Sequence, residues 1–173
     1  MAEKERFTVI VDTREKKPFW DDDQDIFYTK SQKLDTGDYT IEEMSDLLII
    51  ERKKSVGELY ANFTSERVRF YKEVERMKAF PLRFIIVEAT WADVVNPFSY
   101  RTTPKRRVAA AAIVRSSLFN LMVDHGVHVM LAGDRAKYVT KHLLAKMYEY
   151  YKKGKYKSYE RKRAEGETGE NQE

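Results

Sequence analysis

The sequence predicts an α/β domain in which a mixed β-sheet is flanked by α-helices, and three observations support this prediction. The chain has 173 residues, 42% of them hydrophobic, which is enough for one core of ordinary size. After residue 45, short apolar runs typical of strands alternate with apolar residues at helical spacing. No internal repeat is visible, and Gly and Pro number only 7 and 4. We therefore expect a single domain, over residues 1–152.

The first half of the chain contains most of the strand signals. Residues 7–11 (Phe-Thr-Val-Ile-Val) form a β-branched run that ends at charged residues, as a buried strand with a polar end would. A loop with three consecutive aspartates follows, and residues 26–30 predict a weaker strand. Residues 38–41 and 47–53 flank a polar connection that is short enough for a β-hairpin.

The register of this hairpin follows from the position of its turn. If the turn centres between Met44 and Ser45, residues whose numbers sum to 89 face each other across the two strands. Asp38 then lies opposite Glu51. Because side chains alternate along a strand, Glu51 and Lys53 share a face and the residue between them points to the other side. One face of the hairpin is therefore predicted to carry two carboxylates and an ammonium group.

The second half predicts helices that alternate with strands. Ser55 and Glu58 fit a capping box in front of a short helix. A second helix, capped again by Thr64 or Ser65, would bury one apolar face: Val68, Tyr71, Val74 and Met77. The remaining elements are a central strand over residues 83–89, a helix over 104–124, a strand over 127–132 and a helix over 134–151. Residues 153–173 are expected to form a charged, flexible tail.

Composition excludes several classes of protein and site. There is no cysteine, which rules out disulfides and thiolate metal sites, and three histidines leave little for an imidazole site. No apolar stretch approaches the roughly 20 residues that are needed to cross a bilayer, and the first residues have no apolar run. We expect a cytoplasmic protein with no membrane partner.

Basic residues are concentrated in two clusters. Residues 152–163 hold seven Lys or Arg and one Glu, and a second cluster without acids contains Arg101, Lys105, Arg106 and Arg107. Such patches suit a phosphate backbone, because each neutralised phosphate releases condensed counterions. For the first cluster a solvated terminal tail is the simpler alternative. Arg101, Lys105 and Arg106 are therefore candidate DNA-binding residues.

The predicted hairpin face has the composition that metal-dependent phosphodiester hydrolysis requires. Carboxylate oxygens hold Mg²⁺ or Mn²⁺, which polarises the phosphate and lowers the pKa of a bound water. An ammonium group stabilises developing charge or orients the nucleophile. The spacing of Glu51 and Lys53 is weak evidence alone, because a solvated strand end with a local ion pair has the same pattern.

Three motifs around these residues closely resemble those of one known family. They are residues 11–15 (Val-Asp-Thr-Arg-Glu), 36–39 (Thr-Gly-Asp-Tyr) and 50–53 (Ile-Glu-Arg-Lys), in this order and separation. Together they resemble the nuclease domain of the XPF-type structure-selective endonucleases, which include archaeal Hef and eukaryotic XPF. That family belongs to the restriction-endonuclease-like PD-(D/E)XK superfamily. The resemblance covers roughly residues 7–152 and implies a restriction-endonuclease-like fold.

The resemblance also implies roles for individual residues. Asp38 and Glu51 would be the ligands of Mg²⁺ or Mn²⁺, and Lys53 would be the catalytic lysine. Asp12 and Glu15 would be catalytic acidic supports of the same site, although a strand-end turn with capping carboxylates is the alternative for both. The DNA-binding residues beside this site would include Arg14.

The sequence departs from the family pattern in two ways. In the family, Glu-Arg-Lys is followed after three residues by an acidic residue, and this chain has Gly57 at that position. Glu58, one place later, either substitutes for the acidic residue or only caps the helix. No helix-hairpin-helix motif or helicase follows the domain, so we expect other surfaces or partners to target the substrate. Members of the family typically pair. A homodimer through the helices over 104–124 and 134–151 is predicted from a run of alanines and surplus apolar residues: Ala109 to Ala112, Leu118, Leu121 and Met122.

These observations together predict a metal-dependent DNA endonuclease that acts on branched or flap DNA in repair, recombination or phage replication. The alternative is a catalytically inactive DNA-binding or scaffold module of the same fold. The presence of Asp38, Glu51 and Lys53 argues against it, because a decayed site is expected to lose at least one of them. A subunit of a larger nuclease is a third possibility, which cleavage by the chain alone would exclude.

Overall fold

A six-stranded mixed β-sheet forms the centre of the protein in the computed structural model, which describes residues 6–20, 25–98 and 103–159. Its strands within these ranges are β1 (Phe7–Val11), β2 (Phe27–Ser31), β3 (Tyr39–Ile41), β4 (Leu48–Lys53), β5 (Leu82–Val87) and β6 (His128–Leu131). They lie in the order β2-β1-β3-β4-β5-β6. Strand β3 is antiparallel to both neighbours, whereas β1 with β2, β4 with β5 and β5 with β6 are parallel. This sheet confirms the predicted fold class.

Helices cover both faces of the sheet. They are α1 (Val56–Phe63), α2 (Arg67–Met77), α3 (Trp91–Val95), α4 (Pro104–Val123) and α5 (Ala136–Lys152). One core cluster contains buried residues of α1 to α4, and the other, on the opposite face, contains buried residues of α5. The protein is therefore a three-layer structure with one sheet between two apolar cores.

Strand β4 shows how the sequence separates the two cores. Leu48 and Ile50 belong to the core on the α5 face, whereas Ile49 belongs to the core under α1 and α2. Because side chains alternate along a strand, Glu51 and Lys53 continue the Ile49 face at the end of β4. The candidate site therefore begins where the apolar side chains of this core end.

The hairpin has the predicted register. Tyr39 pairs with Ile50, which places Asp38 opposite Glu51. The connection is more ordered than a polar loop, because residues Glu42–Met44 form a 3₁₀ turn and Met44 is fully buried. Gly37 precedes Asp38 with a φ of +74°, and a Cβ atom there would lie 2.4 Å from Cγ1 of Ile49. The Thr-Gly-Asp motif therefore needs glycine at this position.

Two features of helix α2 differ from the prediction. Val68, expected on the buried face of α2, is 73% exposed, and Phe70 is buried instead. The phase of the helix is set by the larger ring, which packs against Phe63 with a centroid distance of 5.6 Å. The predicted caps at Thr64 and Ser65 are also wrong, since α2 begins after Glu66, which makes no side-chain cap.

Helix α4 has exposed apolar residues, as predicted, but only Met122 of the three that were named is among them. Leu118 and Leu121 are buried in the core of their own chain, so that part of the prediction is wrong. Helix α3 was not predicted, because its five residues are too short for a clear apolar period. A capping box between Thr90 and Asp93 stabilises it.

The C-terminal end of the described chain packs on the domain. Tyr156 is buried, and its hydroxyl lies 3.1 Å from the sulfur of Met147. Residues 160–173 of the predicted tail lie outside the described ranges, and the boundary at residue 152 stays a prediction. None of the helices within the described ranges is long and apolar enough to cross a membrane. The cytoplasmic location also stays a prediction.

Candidate active site

The structure brings Asp38, Glu51 and Lys53 together at the end of the β3–β4 hairpin. Asp38 is tied to β4 by two hydrogen bonds, one from its own N–H to the carbonyl of Ile50 (2.8 Å) and one from the N–H of Arg52 to its Oδ2 (2.8 Å). Glu51 and Lys53 are only 6% and 4% exposed. The sheet backbone thus holds both carboxylates and the ammonium group on one face, and their roles stay predictions.

Lys53 is surrounded by carboxylates. Its Nζ donates a hydrogen bond of 2.6 Å to Oε1 of Glu51 and lies 3.8 Å from Glu58 and 4.0 Å from Glu73. The ring of Phe70 lies on another side, 5.2 Å from Nζ. Burial alone would lower the pKa of Lys53, but the charges of Glu51 and Glu73 outweigh it and the pKa is raised. Lys53 is therefore a fixed cation at neutral pH.

The two carboxylates opposite each other are difficult to ionise together. Burial raises the pKa of Asp38 to about 6, with Glu15 and Glu73 adding to the effect and the Arg52 N–H opposing it. Burial also raises the pKa of Glu51, to about 8, against the attraction of Lys53. The site therefore favours either protons or an additional cation between these carboxylates.

Asp12 is buried at the end of β1 and organises the loop that follows. Its carboxylate accepts hydrogen bonds from the N–H of Arg14 (2.8 Å), the guanidinium Nε of Arg14 (2.7 Å) and the N–H of Leu34 (2.6 Å). Burial would raise the pKa of Asp12, but these hydrogen bonds outweigh it and the pKa is lowered. Asp12 thus caps the turn after β1, as the alternative interpretation predicts, and its role as an acidic support of the site stays a prediction.

Glu15 lies beside this loop and is neutralised by lysine. Its Oε1 accepts hydrogen bonds from Nζ of Lys54 (2.9 Å) and from the N–H of Lys17 (2.8 Å), and its Oε2 lies 3.9 Å from the Arg52 guanidinium. Only 5% of its side chain is exposed. Glu15 thus links the loop after β1 to the residue that follows Lys53.

Glu58 caps helix α1 and also lies beside Lys53. Its N–H donates to Oγ of Ser55 (3.1 Å), as a helix cap requires, and its Oε2 accepts the N–H of Lys54 (2.7 Å). Its other oxygen faces Lys53. A residue that caps α1 therefore also adds negative charge beside the lysine, although the role of Glu58 in chemistry stays a prediction.

Glu73 is the residue that the sequence analysis missed. It projects from α2 into the cleft, where it adds a carboxylate from the side opposite the hairpin. With Val68 assigned to the buried face of α2, Glu73 had no predicted place near the strands. The pattern Phe70, Val74 and Met77, which the structure follows, places Glu73 beside the core edge.

The predicted basic residues are not all near this cleft. Lys105 and Arg106 are exposed in the first turn of α4 and do not line it, and Arg101 lies outside the described residues. Cations from other elements line the cleft instead: Arg14, Lys16, Lys53, Lys54, Arg69 and Arg76.

The side chains present fit a divalent cation with oxygen ligands. The cleft has a volume of about 420 Å³, and its acidic residues are Asp12, Glu15, Asp38, Glu51, Glu58 and Glu73. Within the described ranges no three carboxylate or imidazole groups meet closely enough to hold an ion by themselves. This is compatible with Mg²⁺, which commonly takes one or two carboxylates and completes its shell with water and phosphate oxygens. Asp38 and Glu51 are the residues that would hold it.

Comparison with known proteins identifies the family. Residues 11–145 match the ERCC4 domain. The structure is similar to XPF from Aeropyrum pernix solved in complex with DNA, with a TM-score of 0.60 and 22% sequence identity over 83% of this chain and 66% of that one. A second structure, of XPF from Aeropyrum pernix, gives a TM-score of 0.57 and 21% identity over 81% of this chain and 60% of that one.

These relatives are longer than the present chain, which spans no more than two thirds of either solved chain. No curated protein matches the sequence. The ERCC4 match covers most of the chain, including the strands that carry Asp38, Glu51 and Lys53, and the fold agrees with it. The chain therefore belongs to the ERCC4 domain family, and its fold is similar to that of XPF from Aeropyrum pernix.

Proposed function

We propose that the protein is a divalent-metal-dependent DNA endonuclease that cleaves branched or flap DNA in repair, recombination or phage replication. Membership in the ERCC4 domain family supports a nuclease-type function in DNA processing. The observation that carries the finer proposal is the buried Lys53 ammonium, which lies 2.6 Å from Glu51 on the hairpin face that also holds Asp38.

The chemistry can be assigned to the residues of this face. Asp38 and Glu51 would hold Mg²⁺ or Mn²⁺, which supplies Lewis acidity to the phosphate and a more acidic bound water. Lys53, fixed by three carboxylates, offers its ammonium protons to the negative charge that grows on the phosphate oxygens. Because Lys53 is already in place before substrate binds, little reorganisation is needed during reaction.

The test is cleavage by the purified chain alone. Labelled flap, fork, duplex and single-stranded DNA should be incubated with Mg²⁺, Mn²⁺ or EDTA. We expect cleavage of the branched substrates with either metal and none in EDTA. Asp38→Asn should abolish cleavage and leave DNA binding nearly intact, because few phosphate contacts are lost. Binding without cleavage by the unaltered chain would favour the inactive scaffold alternative, and undiminished cleavage by Asp38→Asn would contradict the metal assignment.

We also propose that two copies of the chain pair through the outer face of α3 and α4. The helix over 134–151, which was also predicted to take part, is α5, and it packs on the other face of the sheet from α4, so α3 replaces it in this proposal. Exposed apolar side chains lie along this face: Trp91 (46%), Val95 (46%), Val108 (71%), Phe119 (47%), Met122 (38%) and Val123 (80%). The rings of Trp91 and Phe119 contact each other at 6.1 Å, so the two helices form a continuous surface. An apolar surface of this kind is typical of an interface.

Sedimentation at micromolar concentration tests the pairing. The unaltered chain should give a dimer mass, and Phe119→Glu should give a monomer because a charge would be buried at the contact. Tyr138→Glu, on the exposed face of α5, is the matched control and should remain dimeric. A monomeric mass for the unaltered chain would contradict the proposed pairing without affecting the proposed chemistry.

A further inference from the structure

Most cations around the catalytic cleft already have a carboxylate partner. Arg14 is paired with Asp12, Lys53 with Glu51 and Lys54 with Glu15, at 2.6 to 2.9 Å. Arg69 is paired with Glu66, also at 2.6 Å. At distances longer than the separation of the pair the two charges largely cancel, so these residues contribute little to the long-range attraction of an anion.

Arg76 is different from these cations. It lines the cleft from α2, it is exposed, and no carboxylate of the described residues lies within 4 Å of its guanidinium. Arg76 also lines a second, shallow depression on the outer side of α2, together with Arg67, Val68, Tyr71, Lys72 and Glu75. It therefore connects the mouth of the cleft to the outer surface of this helix.

The outer surface of α2 continues the positive charge. Arg67 and Lys72 are exposed and, like Arg76, have no ion-pair partner among the residues that the structure describes. The guanidinium of Arg67 lies 5.0 Å from the ring centre of Tyr71, which holds it against the helix. We call Arg67, Lys72 and Arg76 the α2 ridge. From its first to its last residue the ridge extends about 13 Å along the helix axis.

We propose that the α2 ridge binds the phosphate backbone of the DNA strand next to the phosphate that is cleaved. This inference rests on the proposed function. Along one strand the rise per nucleotide is about 3.4 Å, so the ridge spans about four nucleotides. Guanidinium groups bind phosphate oxygens in a bidentate manner, and lysine adds a point charge. A strand leaving the cleft across Arg76 would meet the other two cations, and Glu75, the one acidic residue lining this depression, is paired with Lys78 at 2.7 Å.

The salt dependence of DNA binding tests this proposal. Binding of fork DNA should be measured with Ca²⁺ between about 50 and 300 mM salt for the unaltered chain, Arg76→Gln and Lys72→Gln. The logarithm of the association constant falls linearly with the logarithm of the salt concentration. Each lost phosphate contact should make this slope less steep, by about 0.9 for duplex or about 0.7 for single strand. At 0.1 M salt, the loss of one duplex phosphate contact should therefore weaken binding of the variant, relative to the unaltered chain, by roughly tenfold more than it does at 1 M salt.

Two control variants test whether the effect on DNA binding comes from the positive charge of the α2 ridge. Arg76→Lys keeps the charge and should keep the slope. Lys137→Gln removes an exposed charge from α5, on the opposite face of the sheet, and should bind like the unaltered chain. Far-UV circular dichroism of each variant establishes that it is folded.

The possible results distinguish this inference from the proposed function. A smaller slope for Arg76→Gln and Lys72→Gln, with unchanged slopes for the two controls, supports the α2 ridge as the backbone-binding surface. Unchanged slopes for both Gln variants overturn the ridge, even if the unaltered chain binds and cleaves DNA. A chain that neither binds nor cleaves any of the DNA substrates overturns the proposed function and the ridge together.

Discussion

In the absence of metal, the stability of the Asp38→Asn variant relative to the unaltered chain should increase as the pH rises. The substitution keeps an oxygen that can accept the hydrogen bond from the Arg52 N–H, but it removes a carboxylate whose pKa is raised from 3.8 to about 6. Between these two values the folded protein keeps a proton that the unfolded chain has lost. The free energy of unfolding therefore falls with increasing pH for the unaltered chain, and the Asp38 contribution is absent from the variant.

The magnitude follows from the size of the shift. One pKa unit corresponds to about 1.4 kcal/mol, so a shift of about 2 units lowers stability by about 3 kcal/mol across the full range. About half of this falls between pH 5 and pH 8. Glu51 titrates in both proteins, and removing the Asp38 charge lowers the pKa of Glu51, which increases the difference in the same direction.

The assay is urea unfolding of both proteins in EDTA at pH 5 and pH 8. The stability of Asp38→Asn minus that of the unaltered chain should rise by about 1 to 2 kcal/mol between the two pH values. An offset that is the same at both pH values would refute the raised pKa. Adding Mg²⁺ at 100 times its Kd should stabilise the unaltered chain by about 2.7 kcal/mol and the variant much less, because the variant has lost a proposed ligand.

Three further predictions follow from the site and the core. Lys53→Ala should lower kcat on fork DNA by on the order of 10² or more with little change in DNA affinity, and a loss that low salt restores would contradict its role. Glu73→Gln should move the acidic limb of the cleavage–pH profile to lower pH, because Glu73 raises the pKa of Asp38; an upward shift would oppose this. Phe70→Ala should lower the free energy of unfolding by about 3 to 5 kcal/mol, whereas Val68→Ala, at a 73% exposed position, should change it by less than about 0.5 kcal/mol in urea unfolding.

The parts of the structure that could be predicted are those with strong local constraints. The hairpin register follows from one turn position and the alternation of side chains, so the juxtaposition of Asp38 and Glu51 was predicted correctly. The strand containing Glu51 and Lys53 was also clear, because its apolar run has a sharp charged end. Family motifs contain these same residues, so the resemblance and the local pattern agree.

The parts that could not be predicted depend on contacts between elements. In α2 both Val68 and Phe70 begin an apolar series at helical spacing, and only packing against Phe63 selects the second. That choice of phase also decides that Glu73 and Arg76 face the cleft. Of the ion pairs around the cleft, the pair between Lys54 and Glu15 joins residues far apart in sequence, and no local pattern indicates it.

The hydrogen bonds between Asp38 and β4 have a consequence for regulation. Strands β3 and β4 are the two middle strands of the sheet, so the peptide groups that hold Asp38 lie where local opening requires most of the protein to unfold. The amide hydrogens of Asp38 and Arg52 should therefore exchange with solvent almost as slowly as the slowest in the protein. An inhibitor or partner cannot easily loosen such a site from within. We therefore expect regulation of the proposed activity to act on entry to the cleft, which helix α2 borders.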